Sequence, residues 1–196
     1  MRLLVGLGNP GPRYRATRHN VGFDVLDRIL KVSGGRWNAA TDEAVSAEIE
    51  LDGQELTLLK PLTFMNLSGR AVADAVQAKS LRRQDLLVYL DDVALPLGTL
   101  RLRERGTDGG HNGLASVIEC LGGNDVPRLR IGIRPATVPD DLADFVLSRF
   151  DDVEIPAIDA ALDHAVDATR SVLTDGMAKA MSRFNRTVFD RESEQN

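Results

Sequence analysis

The 196-residue sequence predicts an α/β fold in which one twisted, mixed β-sheet carries helices on both of its faces. Short apolar runs that are typical of buried strands alternate along the chain with segments whose apolar residues recur at helical spacing. The turn dipeptide Asp52-Gly53 lies between two strand-like runs and predicts an antiparallel hairpin. The length and the 43% content of hydrophobic residues suit a single domain at residues 1–186, followed by a frayed tail at 187–196.

The first strand is the unbroken apolar run at residues 3–5, and the first helix carries apolar residues at helical spacing from Val21 to Leu30. Glycines, prolines and capping residues mark the limits of the later elements. In chain order, the sequence predicts a loop at 38–46, hairpin strands at 47–51 and 55–60, a helix at 68–79 capped by Ser68, strands at 86–90 and 99–103, a helix at 111–121, a strand at 129–133, a loop that covers the crevice, and helices at 154–173 and 177–184.

Cysteine usage and the distribution of charged residues bound the class of protein. The single cysteine, Cys120, excludes an internal disulfide and a thiolate metal cluster, and its apolar neighbours place it in the core of a helix. Charged residues recur from Arg2 onward, so the N-terminus does not resemble a signal peptide. No apolar run approaches the roughly eighteen residues of a membrane span, and we therefore expect a cytoplasmic protein that does not contact membranes.

The turn after the first strand resembles a dinucleotide-binding motif but lacks its context. Gly6, Gly8 and Gly11 satisfy the G-x-G-x-x-G pattern, which requires a helix to begin at once and to hold the pyrophosphate at its N-terminus. Pro10 and Pro12 break the backbone here and delay the helix to about residues 17–20. Because the second strand belongs to a hairpin and does not end in a ribose-binding acid, we expect no nicotinamide cofactor.

Six polar side chains follow predicted strands or precede predicted helices, where α/β proteins bind their ligands. They are Asn9, His19, Asn66, Asp91, His111 and Asn112. A neutral imidazole that is held by a carboxylate can take a proton from water, and side-chain amides can bind a carbonyl oxygen or a peptide group. The set therefore favours a site in which an imidazole takes a proton from water beside amides that bind a carbonyl or peptide group.

Two other chemistries fit this set less well. A serine nucleophile is disfavoured because the G-x-S-x-G elbow is absent and Ser68 is explained as a helix cap. His19, His111 and Asp91 have the ligand types of a two-histidine, one-carboxylate metal site. The sequence lacks the H-E-x-x-H and C-x-x-C spacings, so we expect no metal.

The net charge of −5 conceals an uneven distribution along the chain. Residues 135–196 hold 13 acidic against 6 basic side chains, whereas residues 1–134 hold 16 against 18. Arg101, Arg103 and Arg105 alternate along one predicted strand, and Arg128 and Arg130 alternate along the last one, so each set shares one face. Such faces are either solvated strand surfaces or a track for phosphates, and the pattern alone leaves both open.

Five ordered motifs carry a resemblance to a known family. They are VGLGNPG at 5–11, TRHNVG at 17–22, KPLTFMNLSG at 60–69, GGHNGL at 109–114 and RLRIGI at 128–133, with AMSRFN at 180–185 closing the match. Together they span residues 2–186 and resemble bacterial peptidyl-tRNA hydrolase. The resemblance implies a monomer with one mixed sheet between helices, which cleaves without a metal the ester that joins a peptide to the terminal ribose of tRNA.

The resemblance also implies roles for individual residues. His19 is expected to be the base that activates water, with Asp91 orienting and polarising it. Asn9 is expected to be a third catalytic residue. Together with Asn66 and Asn112, it is expected to bind the peptide and the reacting carbonyl. The pocket is expected to be shaped by Tyr14, Met65 and His111, and tRNA phosphates to be bound by Arg101, Arg103 and Arg130.

Three positions depart from the family pattern. Ala94 stands where members of the family usually carry an acid, Asp108 places a negative charge in the glycine-rich loop, and Ile133 is followed directly by Arg134 without an intervening glycine. A non-catalytic RNA-binding relative on the same fold is the main alternative, and a hydrolase of some other acyl ester is a third. The intact set of Asn9, His19 and Asp91 favours the hydrolase.

Overall fold

The computed structural model describes residues 2–135 and 141–185. The strands are β1 Leu3–Gly6, β2 Ala44–Leu51, β3 Gln54–Pro61, β4 Leu86–Pro96, β5 Leu100–Arg103 and β6 Arg128–Arg134. The helices are α1 Val21–Val32, α2 Ser68–Ala78, α3 Asn112–Leu121, α4 Leu142–Leu147, α5 Ile155–Asp175 and α6 Met177–Phe184. Short 3₁₀ turns, among them Arg18–Asn20 and Met65–Leu67, precede α1 and α2.

The six strands form one sheet in the order β2-β3-β1-β4-β6-β5. The four central strands are parallel, while β2 pairs antiparallel with β3 and β5 pairs antiparallel with β6. The predicted mixed sheet is therefore confirmed, and the Asp52-Gly53 turn does join an antiparallel hairpin. Parallel neighbours bring the carboxyl ends of β1 and β4 to the same edge of the sheet, where α/β proteins bind ligands.

Each face of the sheet is covered by its own set of helices. Alternation along β1 directs Leu4 into a cluster with residues of α1, α5 and α6. Leu3 and Val5 point the other way, into a cluster with residues of α2 and α3. Helices thus cover both faces, as predicted, and the continuous apolar runs of the central strands follow from burial on both sides.

The glycines of the first motif serve close packing between strand and helix. A Cβ atom on Gly6 would overlap the carbonyl oxygen of Gly22, and a Cβ atom on Gly22 would overlap the carbonyl oxygen of Tyr89. α1 begins at Val21, after the 3₁₀ turn, so the predicted delay of the helix is confirmed. Gly6 of the G-x-G pattern therefore lets α1 approach β1 closely, and Gly22 of the second motif lets it approach β4.

Several local predictions are wrong. Ser68 does not cap α2, because the turn Met65–Leu67 runs directly into the helix, and its hydroxyl is buried without a hydrogen-bond partner among the described residues. Cys120 is exposed, since it lies in the last turn of α3, beyond the buried residues that end at Val117. β2 begins at Ala44, inside the predicted loop, and β4 continues to Pro96 across an irregular register with β6.

Helix α4 was not among the predicted elements. It is a short helix whose start is capped by Asp141, which accepts hydrogen bonds from the N–H groups of Ala143 and Asp144 at 2.9 and 3.1 Å. Part of the loop that was expected to cover the crevice, residues 136–140, and the predicted tail at 187–196 lie outside the described residues. Within the described ranges, every helix is too short or too polar to cross a membrane.

Candidate active site

A cavity of about 330 Å³ opens at the carboxyl end of β4. Its polar lining comes from four segments that are distant in sequence: His19 before α1, Asp91 and Asp92 in β4, His111 and Asn112 at the start of α3, and Arg130 in β6. Leu142, Ala143 and Val146 of α4 add an apolar wall. The structure thus brings together five of the predicted site residues: His19, Asp91, His111, Asn112 and Arg130.

Two imidazoles share one oxygen of the Asp91 carboxylate. The Nδ1 atom of His19 lies 2.7 Å from Asp91 Oδ1, and the Nε2 atom of His111 lies 3.0 Å from the same oxygen. The N–H of Leu114 donates to His111 Nδ1 at 3.2 Å, so the ring proton of neutral His111 is on Nε2, which donates to Asp91. His19 likewise donates from Nδ1, and the lone pair of its Nε2 is left available as a base.

Asp91 is suited to remain ionised between these rings. It is 4% exposed, and burial alone would raise the pKa of its carboxyl. The charge and hydrogen bond of His111, together with those of His19, outweigh burial and hold that pKa well below its usual range. A permanent carboxylate at this position fixes the ring orientation of His19 and stabilises the imidazolium that forms when His19 takes a proton.

Asn9 is held in place by a second asparagine, Asn20, which was not among the predicted site residues. The N–H of Asn9 donates to the side-chain oxygen of Asn20 at 2.8 Å, and the Asn20 side-chain amide donates back to the carbonyl of Asn9 at 3.0 Å. The Asn9 side-chain oxygen accepts from the N–H of Met65 at 2.9 Å. These bonds set the orientation of the Asn9 side chain and leave its NH₂ group available to a ligand.

None of the other predicted binding residues is among the described residues that line this cavity. Met65 is buried, and a Cβ atom on Gly113 of α3 would overlap its sulfur, so Met65 packs against the start of that helix. Asn66 is exposed on the turn Met65–Leu67, next to the residue that Asn9 binds. Tyr14 is half-buried in the turn Pro12–Tyr14 and is not among the described residues that line the cavity.

The donor set also bears on a metal site. The ligand atoms of His19, Asp91 and His111 all lie within 4.8 Å of one another, as a two-histidine, one-carboxylate site requires. Here, however, the imidazole nitrogens that face Asp91 make direct contacts of 2.7 and 3.0 Å with its oxygen. An ion with bonds of about 2.0–2.2 Å would have to displace both contacts, so the arrangement fits a hydrogen-bonded imidazole pair better than a metal centre.

The predicted arginine faces merge into one basic surface. Arg101 lies directly opposite Arg130 in the β5–β6 ladder, and Arg103 lies opposite Arg128. Arg130 Nη2 lies 2.7 Å from Asp92 Oδ2, at the edge of the catalytic cavity. Like charges directly across a ladder destabilise a sheet, and the contact with Asp92 offsets this repulsion for Arg130.

Arg128 lies on the same side of the ladder but is buried, so it is not part of this surface. It is 2% exposed and donates to the carbonyl oxygens of Gly106 and Asn124, at 3.1 and 3.3 Å. Burial and the neighbouring charge of Arg130 lower the pKa of its guanidinium. Arg128 therefore supports the glycine-rich loop. The strand periodicity that grouped it with Arg130 does not distinguish a buried arginine from an exposed one.

Comparison with known proteins shows the family to which the chain is similar. A family model described as peptidyl-tRNA hydrolase matches residues 3–194. A peptidyl-tRNA hydrolase of Chlorobaculum parvum is 44% identical over 189 residues, which cover 96% of this chain and 100% of the relative. One of Citrifermentans bemidjiense is 45% identical over 185 residues, which cover 94% of this chain and 97% of the relative.

Solved structures agree with the sequence relatives. The crystal structure of peptidyl-tRNA hydrolase from Acinetobacter baumannii has a TM-score of 0.87 and 31% sequence identity, with 94% of each chain covered. A complex of peptidyl-tRNA hydrolase with N-propanol has a TM-score of 0.88 at the same identity and coverage. Fold, sequence motifs and nearly full-length identity coincide, and the chain belongs to the peptidyl-tRNA hydrolase family.

Proposed function

We propose that this protein hydrolyses the ester bond between the peptide and the terminal ribose of peptidyl-tRNA, releasing tRNA for reuse. The observation that carries the proposal is the His19–Asp91 contact of 2.7 Å, which leaves the Nε2 atom of His19 as a base at the cleft. Family membership supplies the substrate class, and the geometry supplies a means of activating water.

In the proposed reaction, His19 Nε2 takes a proton from water, and the water oxygen attacks the ester carbonyl carbon. The tetrahedral intermediate then breaks its bond to the ribose oxygen, which leaves with the proton that the imidazolium returns. The Asn112 side chain lines the same cavity, and its amide would stabilise the negative charge on the former carbonyl oxygen. The products are a peptide with a free carboxylate and a tRNA with a free hydroxyl.

We assign to Asn9 and Asn66 the discrimination between peptidyl-tRNA and aminoacyl-tRNA with a free amino group. The NH₂ group of Asn9, oriented by Asn20 and Met65, can donate to the carbonyl of a peptide group, and Asn66 on the adjacent turn can do the same. An ordinary aminoacyl-tRNA would place an ammonium group against these donors, and a charge that is buried without a partner is costly. Tyr14 and Met65 would shape the region that receives the peptide.

We propose that the basic surface on β5 and β6 binds the phosphates of the tRNA. Arg101 and Arg103 alternate with buried leucines along β5, so both guanidiniums lie on one side of the sheet with Arg130. Arginine forks match phosphate geometry, and three of them in two adjacent strands suit a nucleic-acid backbone. Arg130 belongs both to this surface and to the rim of the cavity, and would position the end of the tRNA near His19.

We further propose that the protein acts as a monomer in the cytoplasm and needs no metal. The resemblance of the chain to its family implies a monomer that works without a metal, and charged tRNA is the substrate of cytoplasmic translation. Analytical ultracentrifugation of the protein at the concentration used in the assay tests the oligomeric state, and a mass of one chain is expected. Assay after exhaustive treatment with a chelator tests the metal, and a loss of activity that added divalent metal restores would overturn that part of the proposal.

The substrate assignment is tested by hydrolysis of N-acetyl-aminoacyl-tRNA beside the same aminoacyl-tRNA without the acetyl group. We expect the native protein to cleave the acetylated substrate and to leave the free amine intact. Binding of tRNA with cleavage of neither substrate would replace the hydrolase with a non-catalytic RNA-binding relative. Equal cleavage of small acyl esters that lack tRNA would indicate a general esterase, because only peptidyl-tRNA requires the arginine surface.

A further inference from the structure

The buried guanidinium of Arg18 contacts a carboxylate, a hydroxyl and two aromatic rings, yet the proposed chemistry does not use it. It is 3% exposed, although it precedes His19 in a surface turn. Its two terminal nitrogens donate to the carboxylate of Glu154 at 3.0 and 2.7 Å, and its Nε donates to the hydroxyl of Ser148 at 3.2 Å. A bidentate pair of this kind fixes the plane of the guanidinium.

Two aromatic rings enclose the same guanidinium. The central carbon of the Arg18 guanidinium lies 4.4 Å from the ring centroid of Phe145 and 4.8 Å from that of Phe150. Phe145 belongs to α4, whereas Phe150 lies between α4 and α5. The planar cation thus joins α4 to the segment that follows it, which a lysine could not do with the same geometry.

Glu154 and the backbone complete the attachment. Burial opposes ionisation of Glu154, but the hydrogen bonds from Arg18 and from the N–H of Asp151 keep its pKa below the usual value. The N–H of Arg18 donates to the carbonyl of Ser148 at 2.9 Å, and Thr17 pairs with Arg149 in an isolated antiparallel bridge. The turn that carries His19 is therefore joined to residues 145–154 by side chains and main chain together.

Helix α4 needs such an attachment because little else holds it. Its main packing partner among the described elements is the turn Arg18–Asn20, and none of its residues is fully buried. Nevertheless, Leu142, Ala143 and Val146 form the apolar wall of the catalytic cavity. A wall made by a six-residue helix keeps its place only if its contacts with the body of the protein are strong.

We propose that Arg18 is a positioning residue that holds α4 as the wall of the cleft, so that the acyl group of the substrate is bound beside His19. The inference rests on the proposed function, because it concerns substrate binding in that cleft. Asp91 still orients His19 when α4 is released, so the loss should appear mainly as weaker substrate binding rather than slower chemistry.

The test compares Arg18→Met with the native protein in two measurements. The first is kcat and KM for N-acetyl-aminoacyl-tRNA, and the second is amide hydrogen exchange of residues 142–150. We expect KM to rise about tenfold, kcat to change by less than about threefold, and exchange of this segment to accelerate. Arg28→Met is the matched control, because Arg28 also joins a helix to α5 through carboxylates, those of Asp159 and Asp163, without contacting α4.

Several results would overturn the inference. A merely structural role of Arg18 would reduce the fraction of active protein, lowering kcat with KM unchanged, and unchanged exchange at 142–150 would show that Arg18 does not hold α4. If Arg18→Met does not fold, Phe145→Leu and Glu154→Gln each remove one contact, and both must still raise KM. If the native protein does not cleave the substrate, the proposed function fails, while the exchange comparison still decides whether Arg18 holds α4.

Discussion

Replacement of the carboxylate between the two histidines is the perturbation whose effect the structure predicts best. Asp91→Asn preserves the shape of the side chain but removes the negative charge that lies 2.7 Å from His19 Nδ1. Its amide can also rotate and present NH₂ to His19, which would move the ring proton to Nε2 and abolish the base. Both consequences lower the rate after the substrate is bound.

The size of the effect follows from the charge that develops on His19. Two unit charges about 4 Å apart attract each other by about 4 kcal/mol at an effective dielectric constant of about 20. The loss of this attraction in the transition state corresponds to about a 10³-fold lower rate. Asp91 is buried at one end of the cavity and its oxygen is occupied by the imidazoles, so KM should change by less than about threefold.

Single-turnover hydrolysis of N-acetyl-aminoacyl-tRNA gives the rate, and far-UV circular dichroism checks that the variant folds. Asp167→Asn is the matched control, since it changes the same chemical group on the exposed surface of α5 and should retain the native rate. A folded Asp91→Asn protein that loses less than about tenfold would show that His19 does not depend on this carboxylate. A loss carried by KM alone would assign Asp91 to binding instead.

Three further predictions concern stability and tRNA binding. Burial and the nearby Asp27 raise the pKa of Asp24 to about 6. Because the unfolded chain ionises this group more readily, the free energy of unfolding falls as the pH rises from about 4 through 6. Asp24→Asn should therefore raise the free energy of unfolding by about 2 kcal/mol at pH 8 and leave it unchanged at pH 4, measured by urea titration; equal effects at both pH values would refute this. Arg103→Met should reduce the slope of log affinity for tRNA against log salt concentration by about one, measured by filter binding at several salt concentrations. Arg170→Met, which changes an arginine outside this surface, should leave the slope unchanged. Asn20→Ala should cost about 2 kcal/mol of stability in thermal unfolding and raise KM, because two buried groups of Asn9 lose their partners; an unchanged KM would show that Asn9 keeps its position alone.

Local sequence signals predicted the frame of the fold. The apolar run of β1 and the helical spacing of α1 are properties of short segments, and the Asp52-Gly53 turn fixes its hairpin by itself. Strand ends and helix starts also indicated which polar residues would meet, because parallel neighbours bring those positions to one edge of the sheet. His19, Asp91 and His111 were found in this way.

Contacts between distant segments could not be predicted from local patterns. Arg18 and Glu154 are 136 residues apart, and no spacing rule links them. Strand alternation placed Arg128 and Arg130 on one face but could not show that Arg128 turns inward to the glycine-rich loop. The missing cap at Ser68 has the same origin, since the turn that precedes α2 is fixed by the bond from Met65 to Asn9.

The central claim is that His19 acts as the general base, and the most direct measurement is its replacement. Single-turnover hydrolysis of N-acetyl-aminoacyl-tRNA should be compared between native protein, His19→Ala and His164→Ala, which removes an exposed histidine on α5. We predict that His19→Ala binds the substrate but loses about 10²-fold or more of the rate, while His164→Ala retains it. Retention of the native rate within about threefold by folded His19→Ala would contradict the account.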